Sequence, residues 1–313
     1  MKFHWEKKGH IFKPDNEHAF MKSHVQIPTA LYLKDENKIR IYVAARPLGN
    51  IAQTSFIDVD AKDPSKILYI HDKPILNFGK EGMFDEHGIM PNFVMKKDNL
   101  VYLYYTGWSR RDSIPYSNWA GLATSDDNGF TFKKSSPAPV LDRTTDDLYS
   151  TGVSDIKIEN GVWRSLYVSG IDWIKSDGKY DQTYSIKYAT SPDGINWKRS
   201  KDFIIPQSDY SEAITRPTVV KIGNRYHMWF CFRGCEDYRD GANSYRIGYA
   251  WSEDYRTWHR DDSKSGITVS PKGWDSRMIA YPYIIQVEDR YLMFYNGNYF
   301  GKEGFGYAEL KIN

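Results

Sequence analysis

Lys187-Tyr188-Ala189-Thr190-Ser191-Pro192-Asp193-Gly194-Ile195-Asn196-Trp197 contains a strand, a turn and the first aromatic of a second strand. Alternating residues that run into an Asp-Gly turn and out to an aromatic are the chemistry of a β-hairpin. The motif recurs. Gly121-Leu122-Ala123-Thr124-Ser125 continues through Asp126-Asp127-Asn128-Gly129 to Phe132, and Gly248-Tyr249-Ala250-Trp251-Ser252 continues through Glu253-Asp254 to Trp258. Gly306-Tyr307-Ala308-Glu309-Leu310 repeats the strand without its aromatic partner.

Working outward, a second hairpin precedes each of these. It is built on Pro28, Pro91, Pro217 and Pro282, with Ser154 in the matching place of the copy that lacks a proline, at steps of about 63 residues. Thr29-Ala30-Leu31-Tyr32-Leu33 with Ile39-Arg40-Ile41-Tyr42-Val43, and Thr218-Val219-Val220-Lys221 with Tyr226-His227-Met228-Trp229-Phe230, show the pattern. Four strands per unit and five units predict an all-β, five-bladed β-propeller of four-stranded antiparallel blades. The units are expected at about 23–80, 85–142, 149–206, 211–271, and 275–313 together with 1–12, as one domain. The last unit needs an outer strand, and Phe3-His4-Trp5-Glu6-Lys7 followed by His10-Ile11-Phe12 mirrors Asn196-Trp197-Lys198-Arg199 followed by Phe203-Ile204-Ile205. The amino-terminal strand is therefore expected to close the ring, which leaves no unpaired sheet edge. A β-sandwich with recurring turns is the alternative, but sandwiches rarely repeat at so regular a length.

Composition agrees with this reading. The chain has 313 residues, and 42 Lys plus Arg stand against 40 Asp plus Glu, a formal charge of +2 that gives no reason to expect a nucleic acid or an acidic membrane surface as partner. Aromatics make up 16%, among them 24 Tyr and 10 Trp, which suits strands and carbohydrate-facing surfaces. Cys231 and Cys235 make no disulfide framework and no zinc signature, and the start Met1-Lys2-Phe3-His4-Trp5-Glu6-Lys7-Lys8 lacks the apolar core of a signal peptide. No apolar run reaches the roughly 20 residues of a membrane span. A soluble, reduced, cytoplasmic protein without metal or cofactor is expected.

In a propeller the innermost strands begin at one face, and the loops after the second strands open on the same face. The segments before the anchors supply His24, Gln26, Asp85, His87, Glu212, Arg216, Asp275 and Arg277 to that mouth. The ends of the second strands add Arg46, Trp108, Asp172, Trp173, Arg233 and Asn298, and the third blade offers Asp155 beside Ser154. Tryptophans stack on apolar sugar faces, and arginines bind carboxylates and phosphates through two parallel hydrogen bonds. A carbohydrate or sugar-phosphate ligand is the expected partner. His24 and His87 occupy equivalent places and offer imidazoles to a phosphate, to a metal, or only to packing; two histidines fall short of the three or four ligands a zinc site needs.

The five-blade repeat, the Ala189–Trp197 segment and the closing strand resemble the five-bladed glycosidase superfamily of arabinanases, β-xylosidases, invertases, levansucrases and mannoside phosphorylases. Asp58-Val59-Asp60-Ala61-Lys62-Asp63-Pro64-Ser65-Lys66-Ile67 resembles the phosphorylase branch. The resemblance implies a carbohydrate-active enzyme that cleaves or transfers a glycosyl unit, with a non-catalytic carbohydrate-binding propeller as the alternative. It also implies Glu212 as general acid, and Asp155 or Asp85 as the second carboxylate. The bland alternatives are a partner for Arg216 or Arg277 in the case of Glu212, and a backbone-bonding role for Asp155. Those families place an Asp beside the proline of the first blade, where this chain has Gln26, and a Glu two residues before a later proline, where Glu212 stands five before Pro217. A phosphorylase or transferase has no need of that base, because phosphate or the acceptor is the nucleophile.

Overall fold

The computed structural model describes residues 2–15, 17–47, 51–176, 178–239 and 241–312. Five separate four-stranded sheets account for the chain. The first blade is β2 (Val25–Leu33), β3 (Lys38–Ala45), β4 (Gln53–Asp60) and β5 (Ile67–His71); the second is β6 (Gly88–Lys97), β7 (Leu100–Arg110), β8 (Tyr116–Ser125) and β9 (Lys133–Lys134). The third is β10 (Thr151–Glu159), β11 (Val162–Ser176), β12 (Lys179–Ser191) and β13 (Lys198–Phe203), and the fourth is β14 (Ala213–Ile222), β15 (Arg225–Arg233), β16 (Arg246–Ser252) and β17 (His259–Arg260). The fifth joins β18 (Ala280–Val287), β19 (Arg290–Asn296) and β20 (Phe305–Ile312) to β1 (Phe3–Phe12) from the other end of the chain. The architecture is the expected five-bladed propeller. Its outer strands are shorter than the repeat suggests, only two residues in blades two and four.

Closure is antiparallel, with Phe3 opposite Ile312, Trp5 opposite Leu310 and Phe12 opposite Phe305. Phe3, Trp5, Ile11 and Phe12 are all buried, and Trp5 packs edge-on to Trp229 of blade four at 5.2 Å between centroids.

The recurring turns tie each blade together and bind it to its neighbour. In the second blade Ser125 Oγ donates to Asp127 Oδ1 at 2.6 Å, while the Asp127 carboxylate accepts from the Phe130 and Thr131 amides at 2.9 Å. Ser191–Asp193 and Ser252–Asp254 repeat it. Gly129 and Gly194 take φ of +78° there, a conformation open to glycine at little cost. Each then presents its carbonyl to a tyrosine of the preceding blade: Tyr42 donates to Gly129 O at 2.8 Å and Tyr104 to Gly194 O at 2.7 Å.

A second recurrent device uses acids just ahead of the innermost strands. Asp85 accepts from Tyr105 at 3.0 Å and pairs with Lys134 at 2.6 Å; Asp275 accepts from Tyr295 at 3.0 Å and pairs with Lys7 at 2.6 Å. Asp147, fully buried, contacts Tyr167 at 3.4 Å, Lys187 at 3.2 Å and Arg199 at 2.9 Å. Glu212 holds Arg260 through two 2.8 Å bonds. In each case the acid joins the approach to the inner strand to a base on or beside the outer edge of the same blade. In the fifth blade that base, Lys7, comes from the closing strand.

Candidate functional site

Each innermost strand carries one irregularity, at the positions that the anchor residues mark. Register slips fall between Gln26 and Thr29, Pro91 and Phe93, Val153 and Asp155, Thr215 and Thr218, and Ala280 and Tyr283. Such bulges re-aim side chains, and here Ile27, Asn92, Ser154, Arg216 and Tyr281 form one ring lining an axial cavity of about 880 Å³. Three of them stand immediately before prolines in a left-handed conformation, with φ of +59° at Ile27 and +56° at Arg216 and Tyr281. Non-glycine residues pay strain of order 1–3 kcal/mol there and keep such conformations only where the surroundings enforce them.

Arg216 is the charged member of that ring. It crosses the axis from blade four: Nη1 donates to Asn92 O, and Nη2 donates to Pro28 O at 3.3 Å and to Thr29 Oγ1 at 3.2 Å. Its Nε–H is buried without an acceptor, and burial pushes its pKa down to about 10. Arg46 and Arg233 line the same cavity, and among the described residues none of the three arginines pairs with a carboxylate. Burial also lowers the Arg46 pKa, and the Arg46 Nε lacks a partner. Arg233 lies 3.9 Å from the Tyr238 ring centroid, with Tyr184 and Tyr245 within 6 Å. Gln182 and Asn118 also line the cavity, and their Nε2 and Oδ1 atoms are buried without partners among the described residues. Tyr116, Tyr184, Tyr245 and Tyr281 supply an aromatic wall, so the cavity combines three arginines that lack a carboxylate partner among the described residues with ring-stacking surface.

Of the residues expected at the mouth, His24, Gln26, Arg46, Trp108, Arg216 and Arg233 line the cavity. Burial, with Arg46 and Lys302 nearby, pushes His24 down to about 4, so it is neutral at pH 7 and serves as a hydrogen-bonding group. Trp108 reaches the cavity because Gly88 has no side chain; a Cβ there would lie 1.5 Å from the indole Nε1.

The structure places the other candidates outside the cavity lining. Asp85, Glu212 and Asp275 turn away from the axis into the acid–base pairs that brace blades two, four and five. Asp155 is not among the lining residues and ties blade three to blade four, accepting from the Val219 amide at 3.0 Å and from the Tyr255 hydroxyl; burial holds its carboxyl above the usual range. His87 is half-buried and stacks on Trp108 rather than lining the cavity. Asn298 Oδ1 accepts from the Arg277 and Met278 amides, and Arg277 itself is exposed with its guanidinium 6.0 Å from the Tyr299 ring. Asp172 is exposed, and Trp173 packs edge-on behind Tyr116 at 5.0 Å. Cys231 and Cys235 are both buried free thiols, so Cys235 is more enclosed than a loop position suggests. Among the described residues no cluster of His, Cys, Asp or Glu suits a metal ion.

The sequence reading missed Asn92, Asn118, Asp181, Gln182 and the tyrosine wall. Asn92 was within reach, since it follows an anchor proline. Asp181 and Gln182 sit on β12, whose pairing with β11 runs from Trp163–Ser191 out to Ser176–Lys179, longer than any other hairpin of the repeat.

Glu212 gives a first testable consequence. Burial raises its pKa, but the Arg260 and Ser208 bonds outweigh that and hold it below the ordinary glutamate value. It is therefore ionised at neutral pH and has no proton to donate there. Because the folded value is the lower one, its stabilising contribution is present above the unfolded pKa and is lost as pH falls through the folded pKa. Glu212→Gln is expected to cost about 3 to 5 kcal/mol at pH 7, as breaking a buried pair does. The penalty should shrink in acid, as read from denaturant midpoints between pH 3 and 7; a constant penalty would contradict the assignment.

Comparison with known proteins adds ancestry. A family model described as "Glycosyl hydrolases family 32 N-terminal domain" matches residues 67–275. The "Uncharacterized protein Rv1502" of Mycobacterium tuberculosis (strain ATCC 25618 / H37Rv) is 34% identical over 308 residues, covering 98% of this chain and 99% of that one. A "Beta-1,2-mannobiose phosphorylase" of Thermoanaerobacter sp. (strain X514) is 35% identical over 86 residues, 27% of each chain. Among solved structures, a "Glycoside hydrolase" superposes with a TM-score of 0.74 at 16% identity, covering 98% of this chain and 92% of the other. The Bombyx mori GH32 beta-fructofuranosidase BmSUC1 mutant D63A, in complex with sucrose, superposes with a TM-score of 0.58 at 16% identity, covering 92% and 61%.

Proposed function

This chain belongs to the family of the glycosyl hydrolases family 32 N-terminal domain, and on that premise we propose that its axial cavity receives a sugar carrying an anionic group and cleaves or transfers the glycosyl unit there. The observation that carries the reading is the set of arginines Arg46, Arg216 and Arg233, which line the cavity without a carboxylate partner among the described residues. Taking a guanidinium out of water costs several kcal/mol, and carbonyl acceptors offset only part of it. A bound phosphate or carboxylate supplies the missing charge.

The form of the chemistry follows from what the cavity offers. Glycoside hydrolysis ordinarily uses two carboxylates about 5 to 9.5 Å apart, and Asp181 is the one carboxylate among the described lining residues. Phosphorolysis or transfer fits better, because hydrogen phosphate or an acceptor hydroxyl is a stronger nucleophile than water and brings its own proton: its oxygen bonds to the anomeric carbon as the glycosidic bond breaks, and that proton passes to the departing oxygen. The segment shared with the mannobiose phosphorylase supports the same direction.

The non-catalytic sugar-binding reading has an observation of its own: Asp155 and Glu212 use both carboxylate oxygens on protein partners, and Asp85 uses Oδ2 on Tyr105 and Lys134 while its Oδ1 is buried outside the cavity lining. Calorimetry on the full chain with inorganic phosphate, hexose 1-phosphates, uronic acids, nucleotide sugars and neutral disaccharides tests the shared premise. Anionic sugars are expected to bind and neutral ones to bind weakly; equal affinity for both overturns it. Glycosyl transfer to phosphate or to an added sugar then separates enzyme from binding module.

A further inference from the structure

We propose that Asp181 reads the sugar end of the ligand, its free carboxylate oxygen accepting a hydrogen bond from a sugar hydroxyl while the anionic group rests on Arg216. The proposal rests on the anionic-sugar reading above and goes further, since it divides the cavity into two ends.

Arg216 marks one end: it stands on an innermost strand and its guanidinium spans the axis, whereas Arg233 stands nearer the other, its Nη2 donating to Gln182 O at 3.0 Å. Asp181 marks the other. It pairs with Ile174 in the β11–β12 hairpin, beyond the point where Gly170 meets Ser150, so it belongs to the part that overhangs the inner strands. A slip between Gly170 and Asp172 bends the hairpin at that place.

The carboxylate there is oriented. Oδ1 accepts from the Tyr238 hydroxyl and from Arg239 Nη2 at 3.4 Å, while Oδ2 has no partner among the described residues. Burial, along with the bond to Asp181, keeps the Tyr238 phenol above its ordinary pKa, so at neutral pH Tyr238 is a hydroxyl that donates. That fixes which oxygen is occupied and leaves Oδ2 for the ligand. The next residue, Gln182, faces the other side of the strand: its Oε1 accepts from Ser150 at 3.1 Å and its Nε2 is buried against Gly170. The free oxygen of Asp181 is an acceptor, which a sugar hydroxyl can satisfy by donating to it.

Asp181→Asn makes a clean test because it preserves shape and inverts polarity. Tyr238 requires an acceptor, so the amide oxygen takes the place of Oδ1 and the NH₂ replaces Oδ2. Calorimetry on the full chain should use inorganic phosphate and a panel of hexose 1-phosphates. The variant is expected to bind phosphate as the wild type does and to bind the preferred hexose phosphate about 10- to 100-fold more weakly, the range for losing a hydrogen bond to a charged group. Tyr238→Phe, which frees the carboxylate to rotate, should show a smaller loss of the same selectivity with phosphate binding intact. Equal losses for phosphate and hexose phosphate in Asp181→Asn, or no loss for either, overturn the proposal and leave the arginine seat standing. A wild type that binds neither phosphate nor any hexose phosphate overturns the anionic-sugar reading itself, and this proposal with it.

Discussion

Removal of residues 2–12 is expected to abolish the cooperative unfolding transition of the protein. The deleted strand carries Phe3, Trp5, Ile11 and Phe12, all buried, and truncating one buried aromatic to alanine already costs about 3–5 kcal/mol. Three losses of that kind approach the 5–15 kcal/mol that stabilises a typical domain. The damage extends beyond hydrophobic burial. β20 would become an open edge, and Asp275, whose side chain is only 4% exposed, would lose its 2.6 Å partner Lys7. Far-UV circular dichroism and a thermal melt check this, with Trp5→Ala as the milder variant, expected to stay folded with a lower midpoint. A truncated chain that melts like the full-length protein would refute the account of closure.

Replacing the cavity arginines is expected to remove affinity for anionic sugars while sparing neutral ones. Arg46→Met should weaken a sugar phosphate by about 2 to 5 kcal/mol, the cost of losing one partner of a desolvated charged contact, which is roughly 30- to 5,000-fold in Kd. Its folding should be untouched or improved, because among the described residues the Arg46 side chain has no hydrogen-bond or ion-pair partner to lose. Arg216→Met should show a similar binding loss together with lower stability, since its guanidinium bonds to Asn92, Pro28 and Thr29 across the axis. The two variants thus separate anion binding from axial bracing. Equal losses for phosphorylated and neutral sugars in Arg46→Met would count against the anionic ligand.

Asp85, Glu212 and Asp275 show how a sequence repeat carries structural and functional positions in the same dress. All three precede an inner strand, where a superfamily acid is sought, yet each has a base waiting on or beside the outer edge of its own blade. The signal was present. Asp85–Tyr105, Asp147–Tyr167 and Asp275–Tyr295 share a separation of 20 residues, and a spacing kept in three blades belongs to the scaffold rather than to a single site. Asp147, which was not among the candidates, completes that series.

The sequence alone determined the blade count, the turns and the closing strand, because these depend on local chemistry: Ser-x-Asp turns, alternating strands and an aromatic at a fixed offset. It also marked where the cavity ring lies, since the anchors Pro28, Pro91, Pro217 and Pro282 stand beside the bulges. Which side chains face the axis was decided by the tertiary structure. A bulge adds one residue to a strand and re-aims its side chain, so Arg216 points inward, while Glu212, in the turn just before the strand, reaches Arg260. Asp181 and Gln182 reach the same cavity only because an overlong hairpin of blade three folds over it, a convergence of distant segments that no spacing along the chain encodes.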